Sequence, residues 1–242
     1  MTAIRSAVFN LWFFGATFAF GLWGVVIRLA APRRALGLAQ MWSGTVLAGA
    51  RAICGIRVVV LGREHLPTAG PALIASQHQS AFDTLIWLRL VPRTAYVFKA
   101  ELGRVPLFGP LLHAAGQIAV DRAAGLSAVR AMLRGVDRAV ADERQIVIFP
   151  EGTRVAPGET VALQPGVAAL AARTGLPVIP VATDSGLRWR RRAFAKHPGP
   201  IHVVICPPIA PGPRGDELLA EIQARWDVAS HGLRERADAP AG

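Results

Sequence analysis

Residues 6–27 run for 22 positions without a charged side chain, and that stretch constrains everything else in the chain. As an α-helix it measures ~33 Å, enough to cross the hydrocarbon core of a bilayer. It gathers Phe9, Trp12, Phe13, Phe14, Phe18, Phe20 and Trp23, seven of the seventeen aromatics. Tryptophan near the ends of an apolar segment suits the headgroup zone. A cleavable leader is the competing reading. The run is longer than a usual leader core, and Arg28, Arg33 and Arg34 follow it directly. A second uncharged stretch, residues 35–50, is short for a span and long for a loop. Two arrangements stay open. Either the first segment spans, with Arg28, Arg33 and Arg34 holding the body of the chain in the cytoplasm, or both segments form a hairpin on one leaflet.

Charge narrows the partners. The formal net charge is +11, while only 18% of residues are charged and 52% are hydrophobic. Such a balance suits nucleic acid or an anionic membrane surface. The basic residues are scattered, without a nucleic-acid-binding signature or stacking aromatics in the body of the chain. Membrane lipid is therefore the expected partner, and nucleic acid is not. Cys54 and Cys206 sit in apolar surroundings without metal-ligand spacing, so both read as buried thiols and no metal is expected.

Beyond the apolar segments, short Val- and Ile-rich runs at residues 57–61, 72–75, 117–120, 145–149, 178–182 and 201–205 read as strands. Helical stretches at 83–90, 125–142 and 167–173 lie between them, the second with Ala128, Met132, Val136 and Val140 at four-residue spacing. The alternation predicts an α/β layered domain with a largely parallel central sheet flanked by helices, preceded by a hydrophobic helix or helical hairpin. Residues 1–50 are the anchoring segment, 51–230 the main domain, and 231–242 a frayed tail.

Two stretches carry chemistry. In Ala72-Leu-Ile-Ala-Ser-Gln-His78-Gln-Ser80-Ala-Phe-Asp83, a strand ends near Ser76 and a helix begins near Ser80. Ser80 and Asp83 have capping-box spacing, which makes Ser80 the expected N-cap and Asp83 the third helical residue. On one continuous helix His78 and Asp83 would lie ~140° apart and never meet. With His78 just before the helix, the imidazole can fold back onto the carboxylate. Asp83 would then fix the ring's tautomer and leave the other nitrogen to take a proton from a hydroxyl. A plain cap beside a hydrogen-bonded histidine is the alternative. The second stretch, Phe149-Pro150-Glu151-Gly152-Thr153-Arg154, is a tight turn after a strand, ending in a guanidinium suited to phosphate. Its alternative is a turn with a solvated arginine. Lys99, after Tyr96-Val97-Phe98, is a second candidate phosphate donor, and Arg188–Arg192 with Lys196 is a basic run suited to headgroups. No G-x-S-x-G elbow is present, which argues against a lipid hydrolase.

Taken together, His78 to Asp83, KAELGRVPLFG with GQIAVDR, FPEGTR, and Leu176-Pro-Val-Ile-Pro180-Val181 resemble the four ordered blocks of the 1-acylglycerol-3-phosphate acyltransferase family. The resemblance implies His78 as general base on the glycerol 2-hydroxyl, with Asp83 orienting it. It also implies an acceptor site shaped by Glu151, Gly152, Thr153 and Arg154, with Arg154 and Lys99 on the phosphate. Acyl-CoA or acyl-acyl carrier protein would be the donor, phosphatidic acid the product, and no cofactor would be needed. The membrane implied is the cytoplasmic one, with the catalytic domain on its cytoplasmic side. One departure matters: Leu163-Gln-Pro-Gly166 lacks the lysines that many relatives carry before that glycine. Either Lys99 and Arg154 hold the phosphate without them, or the acceptor is another lysolipid such as lyso-ornithine lipid. A non-enzymatic basic membrane-binding module is the distant alternative.

Overall fold

A computed structural model describes residues 1–106, 108–121 and 125–238. Arg122 of the second block and residues 239–242 of the expected tail lie outside them. Helix α1 (Thr2–Ala30) and helix α2 (Ala35–Cys54) form the N-terminal unit, joined by a single tight turn at Pro32–Arg34. They are antiparallel: Trp12 Nε1 donates to Thr45 O, Trp42 Nε1 to Thr17 Oγ1, and the Cys54 thiol to Arg5 O. Trp12 fits because Gly49 has no Cβ; one built there would collide with the indole nitrogen. Of a lone helix and a helical hairpin, the structure has the hairpin, and it reaches further than residue 50. Phe9, Val46, Ala50 and Cys54 are buried in the same core as the main domain, so the hairpin is built into that domain.

The outer face of α1 is bare. Ile4, Val8, Leu11, Phe14, Phe18, Leu22, Val26 and Leu29 are exposed, with Leu11 77% and Phe14 67% accessible. At 100° per residue they fall within ~120° of arc and form a stripe ~40 Å long. Across the hairpin, Ser43 Oγ and Gln40 Nε2 of α2 donate to Leu85 O and Pro92 O of the domain beneath.

The sheet has seven strands: β1 (Ile56–Leu61), β2 (Ala72–Ser76), β3 (Thr94–Lys99), β4 (Ile118–Val120), β5 (Gln145–Ile148), β6 (Val178–Thr183) and β7 (Gly199–Ile205). Their order is β1-β7-β6-β2-β5-β3-β4, parallel throughout except at the β6–β7 pair. Six strands match runs read from the sequence. The seventh, β3, was not among them: Tyr96-Val97-Phe98 was noted only as an apolar lead into Lys99. Alternation divides the core between the two faces. Ile74, Val147 and Val181 pack with helix α3 (Phe82–Leu90) and α2 on one side. On the other, Leu73, Ile146 and Ala182 meet helices α5 (Gly125–Ala141), α6 (Gly166–Thr174) and α8 (Asp216–Asp238). A short helix α4 (Gly109–Ala114) precedes β4, and α7 (Ser185–Arg188) follows β6.

Helix α8 corrects the expected tail. It continues to Asp238, with Leu218, Ile222 and Trp226 buried in the core beneath the sheet and Leu233 buried further along. These positions recur every three to four residues once Ala229 is included, a helical signal masked by the many charges around it.

Candidate active site

The sheet opens a crevice where two adjacent strands send their connections in opposite directions. From β2 the chain crosses by α3 to β3, and from β5 it crosses by α6 on the other face to β6. His78 follows the carboxyl end of β2, and Glu151 to Arg154 follow that of β5. Topology alone therefore brings the two stretches together.

Helix α3 starts one residue later than the capping-box spacing predicts. Ser80 Oγ accepts the Phe82 N–H at 3.0 Å, and Asp83 becomes the second helical residue. The carboxylate still reaches back. Its Oδ2 accepts the N–H groups of Gln79 and Ser80, each at 2.7 Å, and lies 3.2 Å from Nδ1 of His78. The side chain is almost fully buried at the first turn of α3 and accepts both backbone N–H groups as a carboxylate. An ionised carboxylate only accepts, so the proton between the two groups belongs to Nδ1. Nε2 is left as an acceptor, and the Arg154 Nε–H meets it at 3.4 Å.

The FPEGTR turn grips the backbone of His78 from both sides. Glu151 Oε2 accepts the His78 N–H at 2.5 Å, and the Val155 N–H donates to His78 O at 2.8 Å. Gly152 adopts φ 70°, a left-handed conformation that most side chains resist, and its N–H closes the turn onto Phe149 O. Sequence reasoning missed Phe149 as a site residue. Its ring stacks on the imidazole at 4.2 Å between centroids and carries Tyr96 on its other flank at 6.2 Å. Gln79 was also missed; its Oε1 accepts the Gly186 N–H and ties the His78 loop to α7.

His78, Asp83, Glu151 and Arg154 thus converge. Thr153 is exposed on the turn. Lys99 ends β3 at the same sheet edge, exposed and without an ion pair among the described residues. Two strand spacings separate β3 from β2, which sets Lys99 ~10 Å from the His78 strand.

Burial pushes the Glu151 carboxyl up to about 8, against the His78 N–H and helped by the Asp83 charge. At neutral pH it is mostly protonated, and its carbonyl oxygen suffices to accept the His78 N–H. Glu151→Gln should therefore keep most activity at pH 7. Glu151→Ala orphans that amide and should cost ~10- to 100-fold in kcat. The sign of the pH effect follows from the raised value. The folded state keeps a proton that the unfolded chain releases, so this contribution to stability is full below about pH 4.5. It falls as pH rises and is gone above about pH 8. Melting curves should show wild-type Tm dropping with pH more steeply than that of Glu151→Gln; parallel curves would mean the carboxyl does not titrate there.

A family model described as Acyltransferase matches residues 57–184. The 1-acyl-sn-glycerol-3-phosphate acyltransferase of Pseudomonas aeruginosa is 34% identical over 228 residues, covering 93% of this chain and 88% of that one. The enzyme of the same name from Limnanthes douglasii is 32% identical over 192 residues, covering 77% and 67%. The crystal structure of the 1-acyl-sn-glycerophosphate (LPA) acyltransferase PlsC from Thermotoga maritima shares the fold, with a TM-score of 0.77 at 22% identity over the full length of both chains.

Proposed function

The chain belongs to the acyltransferase family, and from that premise we propose that it acylates the 2-hydroxyl of 1-acyl-sn-glycerol 3-phosphate, giving phosphatidic acid. Acyl-CoA or acyl-acyl carrier protein supplies the acyl group, and no cofactor takes part. The observation that carries this reading is the placement of Nε2 of His78, which has a carboxylate behind the ring and a guanidinium in front of it.

The chemistry follows from those contacts. The acceptor hydroxyl takes the place of the Arg154 Nε–H on Nε2, while Arg154 turns to the acceptor's phosphate. The hydroxyl oxygen attacks the thioester carbonyl carbon as its proton passes to Nε2. Asp83 holds the resulting imidazolium by charge and by geometry. Collapse of the tetrahedral intermediate breaks the carbon–sulfur bond, and the departing thiolate takes the proton back from Nε2. No protein side chain is acylated. Glu151 and Gly152 set the shape of the turn, Thr153 lines its rim, and Lys99 is a more distant cation for the headgroup.

The apolar stripe on α1 supports a hairpin lying in one leaflet rather than a span. One face of α1 is held by α2, and the foot of the hairpin, at Phe9, Ala50 and Cys54, is buried in the domain core, which suits an element lying against the domain. Arg28, Arg33 and Arg34 at the hairpin turn suit anionic headgroups, which favours the cytoplasmic face of the cytoplasmic membrane.

Purified full-length protein with labelled acyl-CoA and a panel of lysolipids tests the assignment. Turnover should be highest with 1-acyl-glycerol 3-phosphate. Preference for lyso-ornithine lipid or another phosphate-free acceptor would overturn it.

A further inference from the structure

The loop between α7 and β7 is fastened to the anchor hairpin. Trp189 is buried edge-on against Phe9, with ring centroids 5.1 Å apart. Lys196 is buried as well. Its ammonium donates to Asn10 Oδ1 at 2.9 Å and to the carbonyls of Ala193 and Phe194, while its backbone N–H donates to Ser6 Oγ at 2.9 Å. Between these two fixings lie Arg191, which touches the FPEGTR turn, and the neighbouring Arg192, whose charge is also felt at Arg154. Arg191 Nη1 donates to the backbone carbonyl of Arg154 at 3.2 Å. Arg192 adopts φ 57°, a backbone conformation that L residues with long side chains seldom take.

Three guanidiniums therefore gather where few negative charges answer them. Neither Arg191 nor Arg192 has a carboxylate partner among the described residues. Burial is the main influence lowering the pKa of Arg154; Asp83 opposes it, and the charges of Arg191 and Arg192 add to it. Glu151, mostly protonated, offsets little. With Asp83 ionised, the cluster carries an excess close to two positive charges, which a phosphate monoester at ~−1.5 to −2 would neutralise. Leu163-Gln164-Pro165-Gly166 brings no cation from the other side of the turn.

We propose that Arg191 and Arg192 complete, with Arg154, a subsite for the acceptor's phosphate monoester, and so set the preference for phosphorylated over phosphate-free lysolipids. The proposal rests on the acceptor assignment above. Distance along the substrates favours the acceptor over the donor. The phosphate of 1-acyl-glycerol 3-phosphate is a few bonds from the reacting hydroxyl, and Arg154 already touches the nitrogen that takes that proton. The nearest phosphate of a CoA or phosphopantetheine thioester lies at the far end of a long arm.

The test is steady-state kinetics of full-length wild type and the Arg191→Ala/Arg192→Ala double variant in neutral detergent micelles, where no anionic bilayer is present. Matched melting temperatures show that the variant folds, and Arg192→Ala alone leaves the Arg191–Arg154 contact intact. The double variant should raise KM for 1-acyl-glycerol 3-phosphate ~10-fold, and Arg192→Ala by a smaller factor, while kcat and KM for acyl-CoA stay at wild-type values. Relative use of 1-monoacylglycerol should rise accordingly. An unchanged acceptor KM overturns the subsite. So does a rise in acyl-CoA KM instead, which would assign the cations to the donor, or a defect confined to anionic vesicles, which would make them bilayer contacts. If wild type fails to turn over the phosphorylated acceptor at all, the acceptor assignment falls and the subsite with it; an unaltered variant beside an active wild type removes the subsite alone.

Discussion

His78→Ala should lower kcat by ~10³- to 10⁴-fold while the protein still folds and still pellets with lipid vesicles. The size follows from what the ring does. In the proposed mechanism Nε2 accepts the hydroxyl proton, and among the described residues no second base stands at the same position: Asp83 is buried behind the ring and Glu151 is mostly protonated. Folding should survive because the backbone of His78, rather than its ring, joins the two turns. The bonds from its N–H to Glu151 and from the Val155 N–H to its carbonyl persist in alanine. Alanine loses the stacking on Phe149, the Nδ1–Asp83 bond and the Arg154 contact, while Asp83 Oδ2 keeps the Gln79 and Ser80 N–H groups. The stripe proposed to bind vesicles is on α1, another element altogether. Turnover within tenfold of wild type would remove His78 as the base.

How much of this was legible beforehand depended on whether a residue's role is local. The His78–Asp83 contact was readable because five residues fix its geometry: a strand end, a short turn, and the first turn of a helix. The one-residue shift of the cap left it intact, since Asp83 Oδ2 gathers the Gln79 and Ser80 amides wherever the helix is said to begin. The Arg188–Arg192 run was visible only as charge. Its proximity to Arg154 depends on Lys196 and Trp189 docking onto α1, 180 to 190 residues away in sequence, and no local pattern encodes that. Strand β3 failed for a different reason. Thr94-Ala95-Tyr96-Val97-Phe98 lacks clean alternation because its first three residues are all buried, and Val97 is its one Val or Ile. Helix α8 was hidden by its charges, although the spacing of its buried residues was present in the sequence.

Asp83→Asn should be nearly as damaging as removal of the ring, with kcat falling ~10³- to 10⁴-fold and acceptor KM little changed. Asparagine can keep its oxygen where Oδ2 lies and still accept from His78, Gln79 and Ser80, so the tautomer and the turn persist. The opposite orientation would point an NH₂ group at two backbone N–H groups and is excluded. In the tolerated orientation the NH₂ occupies the place of Oδ1, a buried position without a hydrogen-bond partner among the described residues, so some loss of Tm is expected. The catalytic loss comes from charge. An imidazolium 3.2 Å from a carboxylate gains ~5 kcal/mol at an effective dielectric constant of ~20, and a neutral amide forfeits most of it. Because this influence passes wholly through the ring, the two substitutions should not add. The His78→Ala/Asp83→Asn double variant should be no slower than His78→Ala alone. A further drop of several orders of magnitude in the double variant would give Asp83 a role independent of the imidazole, and the pairing of these two side chains would no longer account for the chemistry.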